Sequence, residues 1–154
     1  MTLKSLIDKQ KELLEFIAER LKLKDLEKKK FGEVFTPLNF INDNILNDLD
    51  KYYKKINKKS IFENPNLKWF DPANGMGNFP IAIYLKLMDG LKNVFNDENK
   101  RKKHILENML YMAELNKKNT CICKQIFDIN SEYKLNLYEG DYDIHNSKQM
   151  VFRW

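Results

Sequence analysis

Three acidic residues, each at the end of a short apolar run, are the side chains of this chain best suited to bind a polar ligand. They are Asp71, Glu114 and Asp141. The runs that precede them read as short buried strands, and longer amphipathic or polar stretches separate them. This alternation predicts an α/β fold with an open, mainly parallel sheet. Because functional groups in such sheets collect at the carboxyl ends of the strands, we expect the three acids to share one crevice.

A glycine-containing turn follows the first of these acids. It holds Gly75 and Gly77 and leads into a helix predicted to begin near Asn78 and to end near Gly90. Glycines at this place let backbone approach a ligand where a Cβ would collide. The beginning of the helix carries a partial positive charge, which can receive a carboxylate.

The acids and the turn together suit one ligand chemistry. A ribose needs a carboxylate that accepts from its hydroxyls, which we assign to Glu114, and an adenine amino group needs an acceptor, which we assign to Asp141. The cation of an amino-acid tail suits Asp71, and its carboxylate suits the amides of the turn. An adenosine joined to an amino acid meets all these needs, and S-adenosylmethionine is such a molecule.

A nicotinamide dinucleotide fits less well. Its G-x-G-x-x-G pattern needs a glycine where this chain has Pro80. The interval from Gly77 to Glu114 also exceeds the roughly 20 residues between that pattern and its ribose-binding acid. An unrelated nucleotide-binding enzyme stays open as an alternative.

Helices are predicted around these strands. Residues 1–30 form an N-terminal amphipathic helix, and Thr36 caps a further helix that has Pro37 in its first position and runs to about Ile56. Residues 93–103 are predicted to be an exposed polar excursion, residues 104–108 a short helix and residues 116–128 another. A fourth strand is predicted to start in residues 148–154. The expected inward side chains of the second helix are Phe40, Ile41, Ile45, Leu46 and Leu49.

Bulk composition excludes several classes of protein. The chain has 154 residues, 43% of them hydrophobic and 32% charged, which predicts a folded domain, and it has no apolar run of the roughly 20 residues that a membrane span needs. No signal peptide is evident, and we expect a cytoplasmic protein. Cys121 and Cys123 lack further ligands nearby, so we expect small helix residues and no metal site. The net charge of +5 permits a polyanionic partner, while the lysine clusters at 28–30, 54–59 and 100–103 are each expected to be solvated.

Four sequence elements, in order, resemble the N6-adenine DNA methyltransferases of restriction–modification systems. Residues 31–37 read F-G-E-V-F-T-P and residues 70–80 read F-D-P-A-N-G-M-G-N-F-P. They are similar to that family's G-x-x-[FY]-T-P element and its D-P-x-x-G-x-G-x-F cofactor loop. The later M-A-E-L and E-G-D, ending at Leu115 and Asp141, resemble its next two elements. The resemblance covers residues 31 to 141 and implies the first three parallel strands of a partial Rossmann-like class I methyltransferase fold, with S-adenosylmethionine as cofactor and DNA as partner of the complete enzyme.

The resemblance also implies roles for individual residues. Phe35, Thr36 and Pro37 lie against the methionine end of the cofactor. Glu114 holds the ribose hydroxyls and Leu115 packs on the adenine. Asp141 accepts from the adenine amino group and Tyr142 covers the ring. The loop around the cofactor is implied to comprise Asp71, Pro72, Ala73, Gly75, Gly77, Asn78 and Phe79.

One departure from the family is large. Its catalytic motif, [DNS]-P-P-[FYW], has no counterpart, because the chain contains no P-P pair. We therefore expect residues 31–154 to be the cofactor-binding portion, without catalytic residues and inactive alone. A sheet of only three strands leaves the first strand open on one side, which predicts a second copy or a partner chain there. The alternative is a non-catalytic cofactor-binding or scaffolding subunit that pairs with a catalytic partner.

Overall fold

The structure is a computed structural model that describes residues 36–140. The expected N-terminal helix at 1–30 and the candidate fourth strand at 148–154 lie outside the described residues. Helices and strands alternate along the described part, as predicted. No helix within residues 36–140 is long and apolar enough to cross a membrane.

The described elements are labelled in chain order. Helix α1 has three consecutive segments, Leu38–Phe40, a π-helical segment Ile41–Leu46, and Asn47–Asn57. A 3₁₀ helix at Ile61–Glu63 precedes strand β1, Trp69–Asp71, and helix α2, Asn78–Gly90. Helix α3, Glu98–His104, continues as a π-helical segment, Ile105–Met109, into strand β2, Leu110–Glu114. Helix α4, Lys117–Asp128, and strand β3, Asn136–Glu139, complete the set.

The three strands form one parallel sheet in the order β1-β2-β3. Asp71 pairs with Met112, and Glu114, at the end of β2, pairs with Glu139. Helices carry the chain between successive strands, as parallel pairing requires. The predicted parallel α/β sheet is therefore confirmed, and it is compatible with part of a Rossmann-like fold.

The core lies where α2 and α4 pack against β2. Met112 and Ala113 are fully buried in β2, and the rings of Tyr84 in α2 and Phe127 in α4 meet edge to face with centroids 6.0 Å apart. Burial of these apolar side chains is the main stabilising contribution that holds the strands in register.

The inward face predicted for the helix that runs to about Ile56, here α1, was wrong in part. Ile41 and Leu46 are buried and Ile45 is half-buried, but Phe40 is 50% exposed and Leu49 is 39% exposed. The π-helical segment brings Ile41 and Leu46 to one face, because its hydrogen bonds span five residues, as between the Asn47 N–H and the Asn42 carbonyl. The inward face therefore shifts relative to a regular 3.6-residue period.

Two further expectations need correction. Thr36 is not the N-cap of α1; Pro37 is, in extended conformation, and its carbonyl accepts the first helical N–H, from Ile41, at 3.1 Å. Residues 93–103 are not wholly an exposed excursion, because α3 begins within them and buries Arg101 and Lys102. The Arg101 guanidinium donates to the Phe95 carbonyl at 2.6 Å, which compensates part of the cost of its burial.

Candidate functional site

The turn between β1 and α2 is built on two glycines with positive φ. Gly75 has φ of 55° and Gly77 has φ of 95°, backbone conformations that L side chains rarely adopt. The Gly77 N–H closes the turn onto the Asn74 carbonyl at 2.7 Å. Because Gly77 is also the N-cap of α2, no side chain caps the first turn of that helix. Its N–H groups, with their partial positive charge, stand at the turn.

The side of Gly77 on which a Cβ would stand faces α4. That atom would lie 3.1 Å from the Cys123 Sγ and 3.6 Å from the Phe127 ring. Glycine is required here because of its φ and because α4 packs closely behind the turn. The sequence predicts that a Cβ here collides with a ligand, whereas the structure places that Cβ against side chains of the protein.

Backbone hydrogen bonds hold the three strand ends together. The Asn74 N–H donates to the Ala113 carbonyl at 3.0 Å, which fixes the turn after β1 to the end of β2. The Gly140 N–H donates to the Glu114 carbonyl at 2.9 Å, which fixes the end of β3 to the same place. The predicted meeting of the strand ends is thus observed as far as Gly140.

Asp71 lies at this edge of the sheet with half of its carboxylate unsatisfied. Its Oδ1 accepts from the Ala73 N–H at 3.1 Å, and its Oδ2 is buried with no hydrogen-bond partner among residues 36–140. Burial raises the pKa of Asp71; the Ala73 N–H opposes this, and the negative charge of Glu114 raises the pKa further. Among residues 36–140, the carboxylate therefore has one backbone donor, on Oδ1, and no cationic partner.

Asp50, in α1, is an aspartate of the same chain whose carboxylate has several hydrogen-bond donors. It accepts from the Ser60 hydroxyl at 2.7 Å, the Ile61 N–H at 2.9 Å and the Lys54 ammonium at 2.7 Å. Burial would raise its pKa, but these hydrogen bonds hold the pKa of Asp50 below its ordinary value. Asp50 lines a cavity of about 540 Å³ between α1 and the far half of α2. Its carboxylate there is already used in tying α1 to the 3₁₀ helix, so we place the site at Asp71.

Glu114 is buried at the end of β2 and is held in a fixed direction. Its Oε1 accepts from the Asn116 N–H at 2.8 Å, and Asn116 is itself the N-cap of α4. The next side chain, Leu115, is 67% exposed, so an apolar surface stands directly beside the acid. A carboxylate next to an exposed apolar side chain suits a ribose joined to a flat ring.

A side-chain hydrogen bond brings the Thr-Pro element to the turn. The Asn78 Nδ2 donates to the Thr36 carbonyl at 2.9 Å, a contact between residues 42 apart in sequence. This donor fixes the orientation of the amide. The Oδ1 of Asn78 and the Oδ1 of Asn74 are then buried with no hydrogen-bond partner in the described part of the chain. With Asp71 Oδ2, the turn presents three unpaired acceptors.

The predicted site residues are therefore partly brought together. Asp71, Glu114 and the glycine turn share the carboxyl edge of the sheet, with Pro72 and Ala73 exposed and Phe79 half-buried against the core. Thr36 reaches the turn through Asn78. Phe35, Asp141 and Tyr142 lie outside the described residues.

Sequence reasoning missed two residues that support the turn. Asn74 is 5% exposed and Cys123 is fully buried, and the Asn74 Nδ2 lies 3.0 Å from the Cys123 Sγ. The spacing of Ile122, Cys123, Ile126 and Phe127 marks a buried helical face and could have placed Cys123 inside. Only its contact with the turn was beyond sequence reasoning.

The fold and the site define an α/β protein with acidic and amide side chains grouped at the carboxyl ends of a parallel sheet. No family model matches the chain. It is 36% identical over 85 residues to a Mycoplasma pneumoniae protein named "Uncharacterized adenine-specific methylase". The match takes in 55% of this chain and 19% of that relative, so the chain matches about a fifth of the relative's length. This similarity supports a relationship to an adenine-specific methylase over the shared segment.

Proposed function

We propose that the chain is the S-adenosylmethionine-binding part of a site-specific adenine-N6 DNA methyltransferase of a restriction–modification system, with the beginning of a class I methyltransferase fold. The observation that carries the proposal is the buried Oδ2 of Asp71 beside the glycine turn, which has no hydrogen-bond partner within the described range 36–140. The similarity to part of a protein named as an adenine-specific methylase supports it.

The residues fit this cofactor because Asp71 Oδ2 and Asn78 Oδ1 are acceptors with no donor among residues 36–140. Asp71 Oδ2 and Asn78 Oδ1 accept from the ammonium of the methionine end, whose positive charge Asp71 needs. The uncapped N–H groups at the start of α2 receive its carboxylate. The turn residues Pro72, Ala73, Gly75, Gly77 and Phe79 shape this end of the pocket, and Phe35, Thr36 and Pro37 close it.

The adenosine end is assigned to β2 and to the segment after β3. Glu114 accepts from the ribose hydroxyls, while Leu115 packs on the adenine. Asp141 accepts from the adenine amino group, and Tyr142 covers the ring. The bound cofactor supplies an electrophilic sulfonium methyl group, which this chain's residues hold and orient.

The target base needs groups that this chain does not contain. An adenine amino nitrogen is a poor nucleophile, and the resemblance assigns its clamp to a P-P motif that is absent from the 154 residues. We propose that DNA binding and base capture in the complete enzyme use residues beyond these. The same absence favours a second candidate, a non-catalytic subunit that holds cofactor or scaffolds a catalytic partner.

Calorimetry with S-adenosylhomocysteine tests the proposal. We expect micromolar or weaker binding by the wild-type chain, a marked loss in Asp71→Asn, and no change in Asp89→Asn, which alters an exposed aspartate paired with Lys92. NAD serves as the competing ligand. Heat of binding with NAD and none with S-adenosylmethionine or S-adenosylhomocysteine would refute the proposal.

A further inference from the structure

The underside of the glycine turn rests on one buried thiol. The Cys123 Sγ, with no solvent exposure, accepts from the Asn74 Nδ2 at 3.0 Å and donates to the Gly75 carbonyl at 3.5 Å. The same Asn74 amide also donates to the Gly75 carbonyl at 3.1 Å. Thiol, amide and carbonyl therefore form a closed set of hydrogen bonds in which the sulfur is both acceptor and donor.

The thiol also limits how closely α4 and the turn approach. A Cβ on Gly77 would stand 3.1 Å from the Sγ, tighter than ordinary packing. The turn is thus held from two directions, by the backbone bond from Asn74 to Ala113 and by contact with the thiol. A larger side chain at position 123 would push the turn away, and a smaller one would leave a gap beneath it.

We propose that Cys123 is a positioning residue that fixes the glycine turn in the shape that receives the cofactor. Helix α4 begins at the Asn116 cap, whose N–H orients Glu114, and two turns later it presents Cys123 to the loop. One helix therefore sets the ribose acid and the methionine-end turn relative to each other. This inference rests on the proposed function, because it concerns the same cofactor site.

The physical consequence of changing Cys123 is a change in the fraction of molecules whose turn has the conformation that binds cofactor. Without a partner at position 123, the buried Asn74 amide loses one acceptor, and the turn can adopt other shapes that satisfy it. When only a fraction of molecules is competent, the apparent Kd rises by the inverse of that fraction. If the competent fraction falls to about a tenth, the apparent Kd for cofactor rises about tenfold.

The chain offers a matched control on the same helix. Cys121 is exposed and lies two residues from the buried Cys123. Calorimetry with S-adenosylhomocysteine should give wild-type affinity for Cys121→Ser and a Kd about tenfold higher for Cys123→Ala. Cys123→Ser retains a group that both accepts and donates, so it should restore affinity to within about threefold of wild type.

A stability control separates positioning from general loosening of the core. Ile122→Ala removes a buried side chain from the same helix and should lower the melting temperature without a comparable rise in Kd. Cys123→Ala should raise Kd more than Ile122→Ala does at equal loss of melting temperature. Equal rises in Kd at equal loss of stability would make Cys123 an ordinary core residue and overturn the inference.

Thiol labelling provides a readout that does not depend on affinity. In the Cys121→Ser background, a disulfide reagent reaches Cys123 only when the turn opens, and saturating S-adenosylhomocysteine should slow that reaction. The ligand should slow Cys123 labelling by a larger factor than it slows hydrogen exchange of the β2 amides, because that exchange reports global opening. In the Cys123→Ser background, the rate at which the reagent labels Cys121 should be the same with and without S-adenosylhomocysteine.

The outcomes distinguish this inference from the proposed function. A wild-type chain that binds neither S-adenosylmethionine nor S-adenosylhomocysteine would overturn both. A wild-type chain that binds, together with a Cys123→Ala variant of unchanged Kd or ligand-independent Cys123 labelling, would overturn the positioning role alone.

Discussion

Asp50 and Asp71 carry the same side chain in opposite surroundings. Asp50 has three donors around its carboxylate, whereas Asp71 keeps a buried oxygen without a partner in the described residues. A buried acceptor left unpaired costs folding free energy, and the proposed function accounts for that cost at Asp71 by assigning the oxygen to a ligand. At the residue scale, this contrast is what locates the site.

Replacement of Asp71 by asparagine should stabilise the folded protein and weaken its cofactor binding. Because burial and Glu114 raise the pKa of Asp71, the folded protein binds this proton more tightly than the unfolded chain. The free energy of unfolding therefore falls as pH rises from the ordinary value of about 3.9 through the raised pKa, and the loss persists at neutral pH. Asp71→Asn should raise the melting temperature of the ligand-free protein at pH 7.5 while weakening cofactor binding.

Thermal scans at several pH values check this sign. The melting-temperature difference between Asp71→Asn and wild type should shrink as the pH is lowered through the raised pKa, where the wild-type carboxyl becomes neutral. Over the same range the affinity of the wild type for S-adenosylhomocysteine should fall, since the ammonium loses its anionic partner. A variant less stable than wild type at pH 7.5 would show that the charge of Asp71 is already compensated.

Glu114→Ala tests the second acid. Loss of a charged acceptor for the ribose hydroxyls should weaken S-adenosylhomocysteine binding by about 1–3 kcal/mol. Glu139→Ala is the matched control, because Glu139 pairs with Glu114 in register but is exposed and near Lys117. Calorimetry that finds equal affinity for Glu114→Ala and wild type would reduce Glu114 to a strand-end residue.

At the scale of elements, the π-helical segment of α1 decides which side chains reach the core. Ile41 and Leu46 stand five residues apart and are both buried, which a regular α-helix would not align. The large apolar side chains Phe40, Leu49, Tyr52 and Ile56 are exposed on α1. The start of the helix still meets the turn, because Asn78 holds the Thr36 carbonyl.

A pair of leucine truncations in α1 checks this phase. Leu46→Ala should lower the free energy of unfolding by about 2–5 kcal/mol, since it leaves a cavity in the core. Leu49→Ala should change it by about 0.5 kcal/mol or less, since that side chain already contacts solvent. Denaturant titrations of the two variants measure both values, and equal losses would mean that α1 keeps a regular helical phase.

At the scale of the whole molecule, the described sheet has three parallel strands whose carboxyl ends carry the candidate site. Within residues 36–140, β1 pairs only with β2. The proposed assignment separates cofactor binding, which these strand ends support, from base capture, for which the chain has no P-P motif. Binding energy accelerates a reaction only where it favours the transition state, and a pocket without a base clamp has no such contact to offer.

The 154-residue chain alone should therefore not methylate DNA. Purified wild-type protein, incubated with tritiated S-adenosylmethionine and mixed-sequence DNA, should incorporate no more label into N6-adenine than a Gly77→Val variant. Its DNA binding, if measured by titration, should be weak, sequence-independent and reduced by salt, as lysine–phosphate contacts are. Incorporation above the variant would mean that these residues, alone or across a dimer, form a complete catalytic site.

The sequence by itself determined the order of the three strands and the place of the glycine turn. Short apolar runs before Asp71, Glu114 and Asp141 predicted three strands, which are observed as β1, β2 and β3, and the glycines before Asn78 predicted where α2 begins, at the observed residue. These features are local: a strand, a positive-φ turn and a helix start each depend on a few adjacent residues. Parallel pairing followed because helices separate the strands.

Only the tertiary structure decided what holds the turn and which acid keeps a buried oxygen without a partner in residues 36–140. Asn78 meets Thr36 across 42 residues, and Asn74 meets Cys123 across 49. The burial of Arg101 was not predicted, and the predicted inward face of α1 was wrong in part. Such contacts depend on how distant helices pack, and one π-helical segment or one buried donor changes that packing without leaving a periodic signal in the sequence.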